Sequence, residues 1–271
     1  MSAVVAWVDG AIVRMNAALH SIFDNSTSYA GSVFEGIRAY TEWTDMDVPN
    51  GHKNIWLLLE HIRRLRTSAA AYRMRYDYSD AELVKATVDV VAQNVGSTYI
   101  RPVVFRGDGL GVDPANSPIR VAIGSFEWGR YVAKHLHNDC ASVLVTDLIR
   151  PPARMFPGHA KAAAGYAAWS QLAKDEANRA EASEALLLGE NDQRQTFVVD
   201  GSGMNLCIVE KGSIITPDPM KWNILRGLTM QFLLDWVEQN DLVSWSYGDI
   251  SLERLLEADE VFLLGTATEV T

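Results

Sequence analysis

The residue of this chain best suited to covalent chemistry is Lys161, which lies in the run HAKAAAGYAAW, five positions before Tyr166. Only alanines and a glycine separate the two, so no neighbouring acidic side chain holds the amine protonated. A desolvated lysine loses its proton more readily, and the free amine can attack a carbonyl to form a Schiff base. The competing reading is a surface lysine opening an Ala-rich helix, since lysines are mostly exposed. Residues elsewhere in the chain decide between the two.

Three of those places are suited to an anion. Arg64 lies in EHIRRLRTS, where Arg63 and Arg66 also allow a plain solvated basic face. Gly227-Leu228-Thr229 opens a helical pattern, and free amides at a helix start together with the helix dipole favour a phosphate. Gly265-Thr266-Ala267 is a second Gly-Thr turn after an apolar strand. Each signal alone is weak. A lysine, an arginine and two Gly-Thr turns together point to a phosphorylated aldehyde, pyridoxal 5'-phosphate (PLP).

The elements that must position these residues follow from pattern. VVAWVDGAIVRM reads as a hairpin turning at Asp9-Gly10, and SVFEGIRAY as a strand. NIWLLLEHIRRLRTSAAAYRM runs from an apolar strand into an amphipathic helix, and Trp43 to Lys53 is polar and turn-rich. Ser79 and Glu82 form a capping box before AELVKATVDVVAQNV. YIRPVVFRG and IRVAIGSFEW are strands flanking the loop GDGLGVDPANSP. In the second half ASVLVTD is a strand, GYAAWSQLAKDEANRA a helix, and EALLLG, TFVVDG and NLCIVEKGSIITPD antiparallel strands turning at Glu210 to Gly212. LRGLTMQFLLDWVEQN is a helix, and DEVFLLGTATEVT a strand and turn. Strands are followed by helices in each half, which gives an α+β class with two domains. The boundaries read as 1–130, a linker at 131–138, and a larger domain 139–271 that carries Lys161.

Composition sets the class of partner. The chain has 271 residues, 48% of them hydrophobic, and a net charge of −10, which argues against nucleic acid or an anionic membrane as partner. There is no signal peptide and no apolar run of transmembrane length, so a cytoplasmic protein is expected. Cys140 and Cys207 lie in apolar stretches without CxxC spacing and read as buried thiols. His135 and His137 read as an exposed linker pair in preference to a metal site, and no metal is expected.

The motifs VFEGIRAY, EHIRRLRTSA, YIRPVVFRGD, FEWGRYV, AKAAAGY, DGSGMNL, LRGLT and LLGTATEVT occur in one order over nearly the whole chain. Together they resemble the branched-chain aminotransferase family, the fold-type IV PLP enzymes. That resemblance implies two α+β domains with the active site between them, a PLP cofactor and a homodimer or higher even homo-oligomer. Lys161 would be the Schiff-base lysine and proton shuttle, and Tyr166 would hydrogen-bond the cofactor's phenolic oxygen. Asp200 would face the ring nitrogen. Arg64, Leu228, Thr229 and Thr266 would take the phosphate. Tyr99, Arg101, Tyr131, Thr266 and Ala267 would frame the substrate carboxylate. Tyr29, Phe34, Trp128 and Tyr131 would line the side-chain pocket, and Leu110 and Val112 would reach the neighbouring subunit's site. The implied reaction is transamination of an apolar, branched-chain-like L-amino acid with a 2-oxo acid such as 2-oxoglutarate.

Several positions depart from the family. The family places glutamate at Asp200 and again at Met204, and proline where this chain has Arg226. Its usual Ala-Gly-Gly-Asn-Tyr run is Ala162-Ala163-Ala164-Gly165-Tyr166 here, and it continues beyond EVT. These changes keep two alternatives open: other chemistry on the same fold, as in aminodeoxychorismate lyase or D-amino-acid transaminase, and a catalytically weak PLP-binding relative.

Overall fold

The computed structural model describes residues 4–18, 21–41, 53–129, 136–137 and 140–271. The chain divides into two compact units, one of residues 1–129 with 160–164 and one of 130–159 with 165–271. The short segment holding Lys161 therefore groups with the first unit, whereas the sequence puts all of 139–271 in one domain. The stretch 42–52 and most of the expected linker lie outside the described residues.

In the first unit, β1 (Val5–Val8) and β2 (Ala11–Arg14) form the expected hairpin, with Asp9 and Gly10 both at positive φ. A one-turn helix α1 (Asn25–Tyr29) leads to β3 (Ser32–Phe34), β4 (Ile37–Thr41) and β5 (Lys53–Ile55). Two helices follow, α2 (Leu58–Ala71) and α3 (Asp80–Gln93), then β6 (Tyr99–Arg106) and β7 (Ile119–Phe126). The capping box forms as read: the Glu82 amide donates to Ser79 Oγ and the Ser79 amide to Glu82. The seven strands make one sheet in the order β2-β1-β7-β6-β4-β5, with β3 also on β6. Ile62 and Leu65 of α2 and Leu83 and Val90 of α3 are fully buried against Val33, Ile37, Ile100 and Val104 of the sheet. Each such side chain contributes roughly 1.5–3 kcal/mol on burial, enough to carry the polar groups that this core also encloses.

The second unit contains the two-stranded ribbon β8 (Leu136–His137) and β9 (Cys140–Ala141), then β10 (Val143–Ile149). A single turn α4 (Ala163–Gly165) spans the unit boundary and runs into a π-helical turn, Tyr166–Ser170, followed by α5 (Gln171–Arg179). One regular helix was expected over 165–180; the wider turn falls at Tyr166. Next come β11 (Glu184–Glu190), β12 (Thr196–Gly201), β13 (Asn205–Glu210) and β14 (Ser213–Thr216). Helix α6 (Leu228–Gln239), β15 (Trp245–Tyr247), α7 (Leu252–Glu257), β16 (Glu260–Gly265) and β17 (Glu269–Val270) complete it. The sheet runs β10-β11-β12-β13-β14-β15, with β16 on β13 and β17 on β16. The expected antiparallel run from β11 to β14 holds, while β10 and β15 add to it in parallel. The centre of β13, LCIV, is apolar because both its faces are covered: Leu206 and Ile208 pack with Leu186 and Val198, and Cys207 packs with Met230 and Leu234 of α6. Burial pushes the Cys207 thiol up to about 12. Cys140 corrects the expectation of two buried thiols: it is exposed, at the start of a two-residue ribbon too short to enclose it.

Candidate functional site

In the first unit Lys161 is half-buried and held by its backbone. Its amide donates to Ser68 Oγ at 3.0 Å, and its carbonyl accepts from the Phe34 amide at 3.0 Å. Val33 and Ala162 form an isolated antiparallel bridge beside it. The side-chain Nζ lies 5.2 Å from the centre of the Phe34 ring. The lysine is thus fastened to the end of β3 rather than carried on a free surface helix.

Arg64, on α2, is not a solvated arginine. Its Nε and Nη2 donate to the two Glu35 carboxylate oxygens at 2.7 and 2.8 Å, and Glu35 is fully buried. His61, one turn earlier and also fully buried, sits with Nδ1 2.8 Å from Glu35 Oε2. A carboxylate can only accept there, so a neutral His61 carries its proton on Nδ1. Burial works against the Glu35 charge, but Arg64 and the hydrogen bonds from Arg64 and His61 outweigh it and hold the carboxyl below the ordinary range. Burial pulls His61 down further than Glu35 lifts it, with Arg64 and Lys161 adding to the fall. This fixes the plane of the Arg64 guanidinium.

Phe34, Tyr99, Arg101 and Trp128 come together in the same unit. Arg101 donates from Nη2 to the Tyr99 hydroxyl at 3.0 Å, and its guanidinium carbon stands 4.5 Å from the centre of the Phe34 ring. The Trp128 ring meets Tyr99 edge-on at 4.5 Å. Arg38, given no role from sequence, donates to the backbone carbonyls of Trp128 and Gly129 at 2.7 and 2.8 Å and so holds that segment. Gly36 is required by close approach: a Cβ there would stand 2.1 Å from the Tyr99 hydroxyl. Tyr29 lies at the end of α1 and is partly exposed; Leu110 and Val112 are exposed on the loop after β6 at 69% and 85%. Tyr131 lies outside the described residues.

In the second unit Asp200, on β12, is buried, and both its carboxylate oxygens accept from Arg150 at 3.0 and 2.8 Å. Burial pushes its carboxyl up; Arg150 opposes that rise, and the buried carboxylate of Glu184 adds to it. Glu184 accepts the Ala185 and Ser202 amides at 2.8 and 3.3 Å and pairs with Lys174 at 3.3 Å, so it anchors the turn that follows Asp200. Tyr166 approaches the same turn: a Cβ on Gly203 would lie 3.8 Å from its ring. Met204, where the family has glutamate, is buried in the apolar core instead.

Helix α6 begins at Gly227, which supplies no side-chain cap to the amides of Leu228 and Thr229. The Thr229 and Thr266 hydroxyl oxygens stand 3.4 Å apart, so the two Gly-Thr turns meet. Ala267 follows in the same half-buried turn. Arg226 is exposed and its guanidinium is engaged by Gln231. Asn205 opens β13 and donates from Nδ2 to the Leu225 carbonyl at 2.9 Å.

Each unit by itself offers groups that suit parts of a phosphorylated pyridine aldehyde. The first holds an amine and an arginine fixed by a buried carboxylate; the second holds a buried carboxylate suited to a protonated ring nitrogen, and a helix start joined to a threonine turn whose amides and hydroxyls suit a phosphate. Sequence reasoning missed Glu35, His61, Arg150, Glu184 and Asn205. Glu35 and Asn205 stand inside motifs already singled out, but Arg150 carries no local signal, since its partner is 50 residues away.

Comparison with known proteins agrees with this geometry. Residues 32–271 match the family model described as amino-transferase class IV. The branched-chain-amino-acid aminotransferase of Salmonella typhimurium is 34% identical over 270 residues, which cover 98% of this chain and 82% of that protein. The crystal structure of the Escherichia coli branched-chain amino acid aminotransferase superposes with a TM-score of 0.89 at 33% identity, covering 100% of this chain and 85% of that one. The branched-chain amino acid aminotransferase from Thermobaculum terrenum, in its PLP form, superposes with a TM-score of 0.85 at 26% identity, over 99% of this chain and 84% of that one. The fold-type IV architecture, the motif order and a match spanning 32–271 lead to one conclusion: the chain belongs to the class IV aminotransferases.

Proposed function

We propose that this chain transfers the amino group of branched-chain or similarly apolar L-amino acids to a 2-oxo acid such as 2-oxoglutarate, with PLP as cofactor. The observation that carries the reading is likeness over 98% of the chain to branched-chain-amino-acid aminotransferases at 34% identity. PLP, when bound, supplies the carbonyl that receives the amino group and a ring that withdraws electrons. Lys161 Nζ would hold the cofactor covalently and, when free, would carry the proton taken from the substrate Cα. Asp200, paired with Arg150, would favour a protonated ring nitrogen, and Tyr166 would donate to the phenolic oxygen. Arg64, Leu228, Thr229 and Thr266 hold the phosphate. Tyr99, Arg101, Tyr131 and the Thr266-Ala267 turn would receive the substrate carboxylate; Arg101, flanked by the rings of Phe34 and Tyr99, suits a single carboxylate with an apolar side chain. We further propose a cytoplasmic homodimer in which the exposed Leu110 and Val112 reach the partner. No helix among the described residues is long and apolar enough to cross a membrane.

Lys161→Ala tests the central assignment. Borohydride treatment should no longer fix cofactor to the protein, as read by mass. Turnover of a panel of L- and D-amino acids should fall by several orders of magnitude, as expected on losing a covalent catalyst. Undiminished borohydride fixation in Lys161→Ala would refute the assignment.

A further inference from the structure

Asn205 is where three cofactor-facing parts of the second unit are tied together. Its backbone pairs with Asp200 on one edge of β13 and with Leu264, next to the Gly265-Thr266 turn, on the other. Its side-chain Nδ2 donates to the Leu225 carbonyl at 2.9 Å, just ahead of α6. Its Oδ1 lies against Gly227, so closely that a Cβ on that glycine would stand 1.9 Å from it. Gly227 has φ −67, a value any residue can adopt, so contact with Asn205, not backbone strain, demands a glycine there. Asn205 is 5% exposed, and its side chain therefore has few alternative rotamers.

We propose that Asn205 is the positioning residue that sets the spacing between the ring-side carboxylate, Asp200, and the two phosphate-side turns, Leu228-Thr229 and Thr266. The inference rests on the cofactor roles proposed above for those residues. The amide is suited to the task because one end donates and the other is a compact acceptor. An aspartate would set a carboxylate oxygen against the Leu225 carbonyl and bring negative charge beside the phosphate end, both unfavourable. Asn205 touches no reacting atom; it acts by holding the pieces at one separation, and small misplacements of such pieces weaken binding and catalysis steeply.

The test compares PLP with pyridoxal, which lacks the phosphate, on the full chain freed of cofactor and titrated by absorbance. Asn205→Ala should weaken PLP about tenfold, the equivalent of one lost hydrogen bond, while pyridoxal affinity stays nearly unchanged. Gly227→Ala should weaken PLP at least as much. In the double variant the two losses should not add, because the oxygen that the new methyl would strike is gone. Asn205→Asp, of almost equal volume, should lose PLP preference at a cost in thermal stability, and Asn205→Ser, which adds no charge, serves if the alanine variant fails to fold. Equal weakening of PLP and pyridoxal, or additive losses in the double variant, would overturn the proposal. Thr229→Val separates the underlying reading: an intact preference for PLP over pyridoxal there would overturn the phosphate assignment, and the inference with it.

Discussion

Among the described residues, each unit pairs a buried carboxylate with a half-buried arginine, Glu35 with Arg64 and Asp200 with Arg150, and the two pairs are arranged in opposite senses. In the first, Arg64 is the group assigned to the ligand, and Glu35 with His61 stands behind it. In the second, the carboxylate of Asp200 is assigned to the ligand and Arg150 stands behind it. The electrostatics differ accordingly. Glu35 has a cation and two sets of hydrogen bonds, and its carboxyl falls below the ordinary range. Asp200 has one cation and a second carboxylate nearby, and its carboxyl rises. The first pair is self-sufficient, whereas the second leaves a buried acid short of positive charge, which a protonated ring nitrogen would supply. A pair assembled around an anion-binding cation is thus complete before the anion arrives, and a pair assembled around a cation-binding carboxylate is completed by its ligand.

Breaking the first pair should cost most. Glu35→Gln leaves Arg64 buried without its counter-ion, a change that typically costs about 3–5 kcal/mol of stability. Urea unfolding should show that loss with the cofactor absent. A loss below about 1 kcal/mol would mean that Arg64 turns to solvent and that the pair is not self-sufficient. Asp200→Asn should cost less in stability, because it removes an incompletely neutralised charge, but it should slow Cα–H abstraction by about 10²–10³-fold, the scale of losing one preorganised electrostatic partner. Stopped-flow traces with substrate should show initial binding nearly unchanged. Equal abstraction rates in the two proteins would remove Asp200 from the ring nitrogen and end the comparison.

The smallest effect is the response to acid, and its sign should differ between the units. His61 is lowered from 6.5, so the stability it contributes is full above 6.5 and fades as pH falls through that value. Glu35, also lowered, adds stability above 4.5 that fades as pH falls below it. Asp200 is raised from 3.8, so its contribution is full below 3.8 and is lost as pH rises through its folded value. Hydrogen exchange between pH 7.5 and 4.5 should therefore show amides of α2 losing protection, relative to intrinsic rates, while those of β12 hold or gain. Parallel loss in both would show that the two carboxylates are not differently poised.

How much of this was legible in the sequence depends on how far apart the interacting residues stand. The hairpin at Asp9-Gly10 and the capping box at Ser79 are set by adjacent residues, and they were readable. Lys161 and the two Gly-Thr turns stood out because small residues and glycines mark them locally. The partners of Arg64 and Asp200 lie 29 and 50 residues away, and only folding shows which acid meets which base. Asn205 was visible within DGSGMNL, but its importance comes from the register that sets it opposite Asp200 and Leu264. The parallel addition of β10 and β15 also left no local trace, because a buried strand reads alike in either direction. Cys140 was misjudged because apolar neighbours imply burial only when an element exists to cover them.

The π-helical turn at Tyr166–Ser170 acts as an angular offset in the chain. In an α-helix each residue advances the direction of its side chain by about 100°, so α5 sets the bearing of every residue counted back from it. The wider turn inserts a phase slip between α5 and Tyr166, and the two exposed alanines at 167 and 168 are where that slip can be taken up without disturbing packed side chains. The turn closes from the Gln171 amide back to the Tyr166 carbonyl, one residue more than an α-turn, so plain α-helical winding of the same residues would swing Tyr166 by about 100°, one residue step, from its bearing on the Gly203 turn. The aim of that phenol is therefore encoded in how the turn behind it winds.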